Sequence, residues 1–202
     1  MKKTKWLAAC MAACALALVM GCSNGGLDLP GVVEKDGWLM YGSTVRQYRG
    51  SEEKVTTPAG ATIIGSYAFE DTGVKEVTIG KGVTVIESYA FYECWSLESV
   101  ESPGSVTSIG MQAFWGCRSL ASVTIGEGVE SIGERAFESC DSLESVEIPA
   151  SVKSIGDYAF SSVKEVNYGG TAEQWENIDI GSRPFPYNAK ITDKDGEEIS
   201  NS

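Results

Sequence analysis

Ile132 to Ser154 reads IGERAFESCDSLESVEIPASVKS. The 23 residues before it, Ile109 to Ser131, read IGMQAFWGCRSLASVTIGEGVES, and Ile86 to Ser108 read IESYAFYECWSLESVESPGSVTS. Ile64 to Val85 is a 22-residue copy, IGSYAFEDTGVKEVTIGKGVTV. Ile155 opens a shortened copy, IGDYAFSSVKEVNYGG, and Val55 to Ile63, VTTPAGATI, is a partial one that matches Val146 to Ser154. A fixed period of this size is the signature of stacked repeat units.

Each unit can be read physically. Ile132, Ala136, Phe137, Cys140 and Leu143 fall at offsets 0, 4, 5, 8 and 11, the spacing of one face of a short helix. Leu143, Val146 and Ile148 then pass into period-two alternation bounded by Pro149, which predicts a short strand. One unit cannot bury its own apolar stripe. Stacked copies can, with parallel strands about 4.8 Å apart and about five coils making a stack of roughly 24 Å.

The strand portion, LESVEIP or LASVTIG, fits the L-x-x-L-x-L core of a leucine-rich repeat. The whole unit, IGxxAFxxCxSLxSVxIPxSV, resembles the BspA-type leucine-rich repeat family of bacterial surface proteins over about residues 38–175. The resemblance implies an α/β repeat solenoid, a right-handed leucine-rich repeat stack of short parallel strands and short helices with β-hairpin caps. It also implies a cell-surface or secreted protein that adheres to host proteins or other cells.

The ends read as caps. Trp38-Leu39-Met40-Tyr41 and Val45-Arg46-Gln47-Tyr48 flank Gly42-Ser43-Thr44 as a hairpin would. Tyr168 to Trp175 resembles the closing turn of the same family, with Thr171 capping a short helix that lays Trp175 over the last coil. Ile191 to Ile199 contains Asp195-Gly196, a hairpin signal. Such ends keep apolar core and strand edges from solvent.

Residues 1–21 read as an export signal. Lys2, Lys3 and Lys5 precede an apolar run of 15 residues, Trp6 to Met20. A run behind a basic start and shorter than the roughly 20 residues of a membrane span is a signal core. Val19-Met20-Gly21-Cys22 resembles a bacterial lipobox, which implies diacylation of Cys22 and attachment to a membrane through an N-terminal lipid. Each buried CH₂ of an acyl chain contributes about 0.8 kcal/mol, so two or three chains hold a protein firmly. The expected divisions are therefore a signal peptide over 1–21, a flexible linker over 22–36, the hairpin cap over 37–54, the repeats over 55–170 and the C-terminal cap over 171–202.

Composition narrows the function classes. The 202 residues are 43% apolar and 22% charged, with 16 basic and 28 acidic residues, and no histidine. Without histidine there is no Ser–His–Asp or Cys–His nucleophile and no histidine-ligated zinc. Loss of residues 1–21, which carry three Lys and no acid, leaves 13 basic against 28 acidic residues and a net charge of −15. That excess disfavours nucleic acid, whose phosphates need Lys and Arg. It also repels an anionic membrane, so the body stands off on its lipid tether.

Four groups of residues stand out. Cys94, Cys117 and Cys140 repeat every 23 residues, which fits a buried column of small apolar side chains better than a metal site, whose cysteines come in tight pairs. Glu98, Glu144 and Glu147 sit at solvent-facing phases, and nothing pairs two carboxylates for catalysis; no enzyme activity, metal or cofactor is expected. The side chains flanking the inward valine of each strand form two columns on the face expected to be concave. One column is Glu76, Ser99, Ser122, Ser145 and Glu165; the other is Thr78, Glu101, Thr124, Glu147 and Asn167. They make either a merely solvated face or a binding surface for a basic or polyhydroxylated extracellular protein or glycan. Tyr92 and Trp115 share a phase in adjacent copies, with Trp95 near, and either form an interface or shield the side of the stack. Ser102 replaces Ile125 and Ile148 at a core phase and is expected to leave a packing defect.

The sequence thus reads as a lipid-anchored surface binding protein. A structural lipoprotein that assembles the cell envelope is the alternative.

Overall fold

The computed structural model describes residues 31–200. The signal segment 1–21, Cys22 and the linker up to residue 30 lie outside the described residues.

Every coil contributes a strand of three or four residues, a turn, a strand of two residues and a pair of tight turns. The longer strands run parallel and in register. Val55, Val77, Val100 and Val123 are aligned neighbours, as are Val146, Val166 and Ile191. The two-residue strands align as strictly, placing Val45, Ile64, Ile86, Ile109, Ile132, Ile155 and Ile180 in one row of a nine-stranded sheet. Because the pleat has a period of two, in-phase repeats put the same valine or isoleucine inward in every coil.

This second row corrects the sequence reading, which placed Ile132 and its equivalents at the start of a helix. The short helices are also absent from the coils. Tyr67, Tyr89, Gln112, Arg135 and Tyr158 have φ of +59°, +65°, +53°, +55° and +55°. A left-handed residue breaks an α-helix and costs about 1–2 kcal/mol. The N–H groups that a helix would use internally go to the next coil. Phe91 donates to the Ala113 carbonyl at 2.7 Å, Phe114 to Ala136 at 2.8 Å and Phe137 to Ala159 at 2.8 Å. Offsets 0, 4, 5 and 8 mark residues that turn inward, and two tight turns meet that condition as well as a helix does. The molecule is therefore a β-solenoid rather than an α/β alternation. The one α-helical turn among the described residues is Ala172–Trp175, in the C-terminal cap.

The core is a set of columns. Phe69, Phe91, Phe114, Phe137, Phe160 and Phe185 stack with successive centroid distances of 4.4, 4.7, 4.9, 4.9 and 5.5 Å. Alanine, leucine and valine columns lie beside them, fully buried. Burying each large apolar side chain contributes about 1.5–3 kcal/mol. Trp38 and Tyr48 close the N-terminal end of the phenylalanine stack, against Phe69. Trp175 closes the other end, against Phe185 and Tyr168.

The caps carry two further findings. Val32–Lys35 is a strand paired antiparallel with Trp38–Tyr41, inside the segment read as linker. Residues 180–191, IGSRPFPYNAKI, build another coil: Ile180 joins the two-residue strands, Phe185 the aromatic stack and Ile191 the longer strands. Thr171 caps the helical turn by the reciprocal Thr–Gln capping box with Gln174. Lys190–Thr192 and Glu198–Ile199 pair as a final hairpin.

The longer strands form two four-stranded sheets rather than one. Lys54–Thr56, Glu76–Thr78, Ser99–Glu101 and Ser122–Thr124 make the first, and the second begins at Ser145–Ile148.

Ser102 is 4% exposed, and its hydroxyl has no hydrogen-bond partner. It sits between Ile79 and Ile125 in a column that runs Thr57, Ile79, Ser102, Ile125, Ile148 and Tyr168. Ser102→Val replaces the orphaned hydroxyl with apolar atoms, so it should raise the unfolding free energy by about 0.5–2 kcal/mol. Urea unfolding midpoints at equal m-value check this. A destabilised variant would show that the site is already tightly filled.

Candidate functional site

The cysteine column is structural. Cys94, Cys117 and Cys140 are buried and unbridged, and each thiol donates to a phenylalanine carbonyl of the preceding coil: Phe69 at 2.9 Å, Phe91 at 3.0 Å and Phe114 at 3.2 Å. Burial pushes the Cys140 thiol far above its ordinary pKa. The neighbouring Cys117, then burial, does the same to Cys94. Such thiols stay protonated and unreactive. Among the described residues no group of three or more histidine, cysteine or acidic residues is placed to hold a metal ion.

The two strand-face columns assemble as their in-phase spacing implies. Ser99 lies beside Ser122 and beside Glu76; Glu101 lies beside Thr124 and beside Thr78. Ser145 and Glu147 lie beside Glu165 and Asn167 on the second sheet, and no hydrogen-bonded ladder joins them to Ser122 and Thr124. Apart from half-buried Glu76 and Ser99, these ten residues are exposed. A shallow depression of about 170 Å³ lies on the first sheet, lined by Glu76, Thr78, Ser99, Glu101, Ser122 and Thr124.

Ion pairs mark the borders of this face. Lys54 meets Glu76 at 2.6 Å, Lys75 meets Glu53 at 2.9 Å and Lys164 meets Glu144 at 2.8 Å. The Lys164 ammonium, by hydrogen bond and charge, holds the Glu144 carboxyl below its usual value. Glu101 and Glu147 make no ion pair among the described residues, whereas Glu165 is aligned with Lys190 of the next strand. The face therefore offers hydroxyl donors and acceptors together with uncompensated carboxylates, a surface suited to amines, guanidinium groups and sugar hydroxyls.

The aromatic residues divide. Tyr92 and Trp115 stack at 5.0 Å with an 11° interplanar angle, and Trp115 donates its indole N–H to Glu138 at 3.1 Å. Trp95 is 56% exposed and makes no ring contact with them. Two residues that sequence reasoning passed over complete the cluster. Tyr67 and Tyr89 stack at 5.2 Å and 5°, and both meet Tyr92 edge-on. Their signal was the repeated Ser-Tyr-Ala-Phe at 66–69 and 88–91, which keeps a tyrosine at one phase in adjacent copies.

A family model described as BspA type leucine-rich repeat region matches residues 46–167 in six copies. Among solved structures, a leucine-rich cell surface protein of Faecalibacterium prausnitzii A2-165 is similar at 26% identity and a TM-score of 0.56, over 83% of this chain and 55% of that one. The present chain thus spans little more than half the length of that relative. A leucine-rich repeat protein of Bacteroides capillosus is 29% identical with a TM-score of 0.50, over 69% of this chain and 99% of its own. The pneumococcal vaccine antigen PcpA shares the fold at 20% identity and a TM-score of 0.66, over 81% of this chain and 42% of that one. No curated protein matches.

Proposed function

The chain belongs to the BspA-type leucine-rich repeat family, and on that premise we propose that it is a non-catalytic binding protein of the bacterial surface, exported and tethered through a lipidated Cys22. Its strand face, Ser99, Glu101, Ser122, Thr124, Ser145 and Glu147, engages an extracellular protein or glycan. The observation that carries the reading is the alignment of these side chains. Parallel register sets hydroxyls and unpaired carboxylates in rows at strand spacing, an array that can meet many polar groups of a partner at once. The cell-surface description of the Faecalibacterium prausnitzii relative supports the location. The net negative charge favours basic or polyhydroxylated partners and opposes acidic ones.

The test is a binding screen of the full chain against immobilised extracellular matrix proteins and glycans, beside Glu101→Lys/Glu147→Lys. The double reversal is expected to weaken the principal interaction by about tenfold or more. An unchanged binding profile would remove the strand face from the proposal. Palmitate labelling that persists in Cys22→Ala would remove the lipid tether.

A further inference from the structure

The second surface to consider lies on the paired turns. Tyr67, Tyr89, Tyr92 and Trp115 form one continuous aromatic cluster, with Tyr67 39% exposed and Met111 nearby at 38%. Besides Glu138, which accepts from the Trp115 indole and pairs with Arg135, the carboxylates around it are those of Glu70, Asp71 and Glu93. None of the three is ion-paired, and all act on one another or on the tyrosines. The nearest paired cation, Arg135, is already engaged by Glu134 and Glu138 and lies over the Tyr158 ring at 5.6 Å.

This grouping is unfavourable to the isolated chain. Burial, then Asp71 and Glu93, push the Glu70 carboxyl above its usual pKa. Burial, then nearby carboxylates and phenols, push Tyr92 up. A positive charge brought to this place would relieve all of these repulsions. We propose that the turn face is a docking site for a cationic segment of a partner protein, whose Lys or Arg heads meet Glu70 and Glu93 while their aliphatic stems lie along the tyrosine edges and Met111.

Ring geometry separates this occupant from a glycan. A sugar stacks on an open ring face, and each of these rings gives one face to its partner, Tyr67 to Tyr89 and Tyr92 to Trp115. The stack presents edges and phenol oxygens. A long basic side chain uses both the apolar edge and the acidic border, since its stem is apolar and its head charged. The proposal rests on the reading of this chain as a binding protein but uses a different surface from the strand face.

Calorimetric titration of the full chain with a hexa-arginine peptide tests it, with hexa-glutamate and maltohexaose as further probes. Glu70→Gln/Glu93→Gln should weaken hexa-arginine binding about tenfold, while Glu127→Gln/Glu176→Gln, exposed carboxylates outside both surfaces, changes it by less than about twofold. Binding to the wild type should also fall as salt rises. Equal losses in the two double variants would reduce the effect to general acidity and overturn the proposal. So would the absence of hexa-arginine binding, or binding of maltohexaose alone. A failure here leaves the matrix and glycan screen of Glu101→Lys/Glu147→Lys unaffected, so the two surfaces are judged separately.

Discussion

Phe114→Ala should lower the unfolding free energy by about 3–5 kcal/mol. The ring is completely buried and stacks between Phe91 at 4.7 Å and Phe137 at 4.9 Å. Its removal takes away the transfer energy of a large side chain, leaves a cavity, and breaks two aromatic contacts worth about 0.5–1.5 kcal/mol each. Position in the stack matters as much as burial. In a solenoid each coil touches only its neighbours, so a central defect weakens two interfaces at once. Phe185→Ala, at the end of the column and 4% exposed, has one phenylalanine neighbour and the tilted Trp175, so its effect should be smaller. Guanidinium unfolding of the three proteins decides the matter. A Phe114→Ala loss below about 1 kcal/mol would mean that the rings do not stack as a continuous core.

Gly133→Ala should cost about 1–3 kcal/mol although it adds a single methyl group. A Cβ at Gly133 would lie 2.5 Å from the Met111 amide nitrogen and 2.6 Å from the Gly110 carbonyl carbon. Those are backbone atoms of the preceding coil, which cannot rotate away as a side chain can. Gly110 and Gly156 meet the same backbone obstruction at 2.4 Å, and Gly181 meets the Asp157 amide nitrogen at 2.6 Å. Glu87 occupies the equivalent place in its coil, where its carboxylate accepts from both the Ser66 amide at 2.9 Å and the Ser66 hydroxyl at 3.1 Å. The stack therefore yields at this position when new hydrogen bonds offset the crowding, and alanine brings none. Gly73→Ala is the control. A Cβ there meets nothing within 4 Å, so its effect should stay within about 0.5 kcal/mol. Thermal melts of the two variants that coincide would contradict the close approach of coils at the glycine column.

The features legible in the sequence are those set by phase. Alanine, phenylalanine, cysteine, leucine and valine recur every 22 or 23 residues, and each becomes a buried column. The serine, threonine and glutamate columns of the strand face followed from the same counting, because parallel register preserves phase. Conformation was less legible. Ile132 and Phe137 have helical spacing, but Arg135 between them is left-handed, and arginine carries none of the signal that glycine or asparagine would give at such a position. The strand Ser131–Ile132 is too short to display alternation. Phe185 was hidden because proline replaces alanine before it and the helical turn at Ala172–Trp175 lengthens its coil. Tyr92 and Trp115 were joined by phase, whereas Trp95, close in sequence but at another phase, is exposed and makes no ring contact with their stack.

Hydrogen-bond scalar couplings between amide nitrogens and carbonyl carbons, read by NMR on the labelled full chain, test the stacked architecture at single bonds. The Phe91 amide should couple to the Ala113 carbonyl, Phe114 to Ala136 and Phe137 to Ala159, each partner 22 residues onward. Couplings from those amides to carbonyls four residues earlier would restore the helices and contradict the solenoid described above.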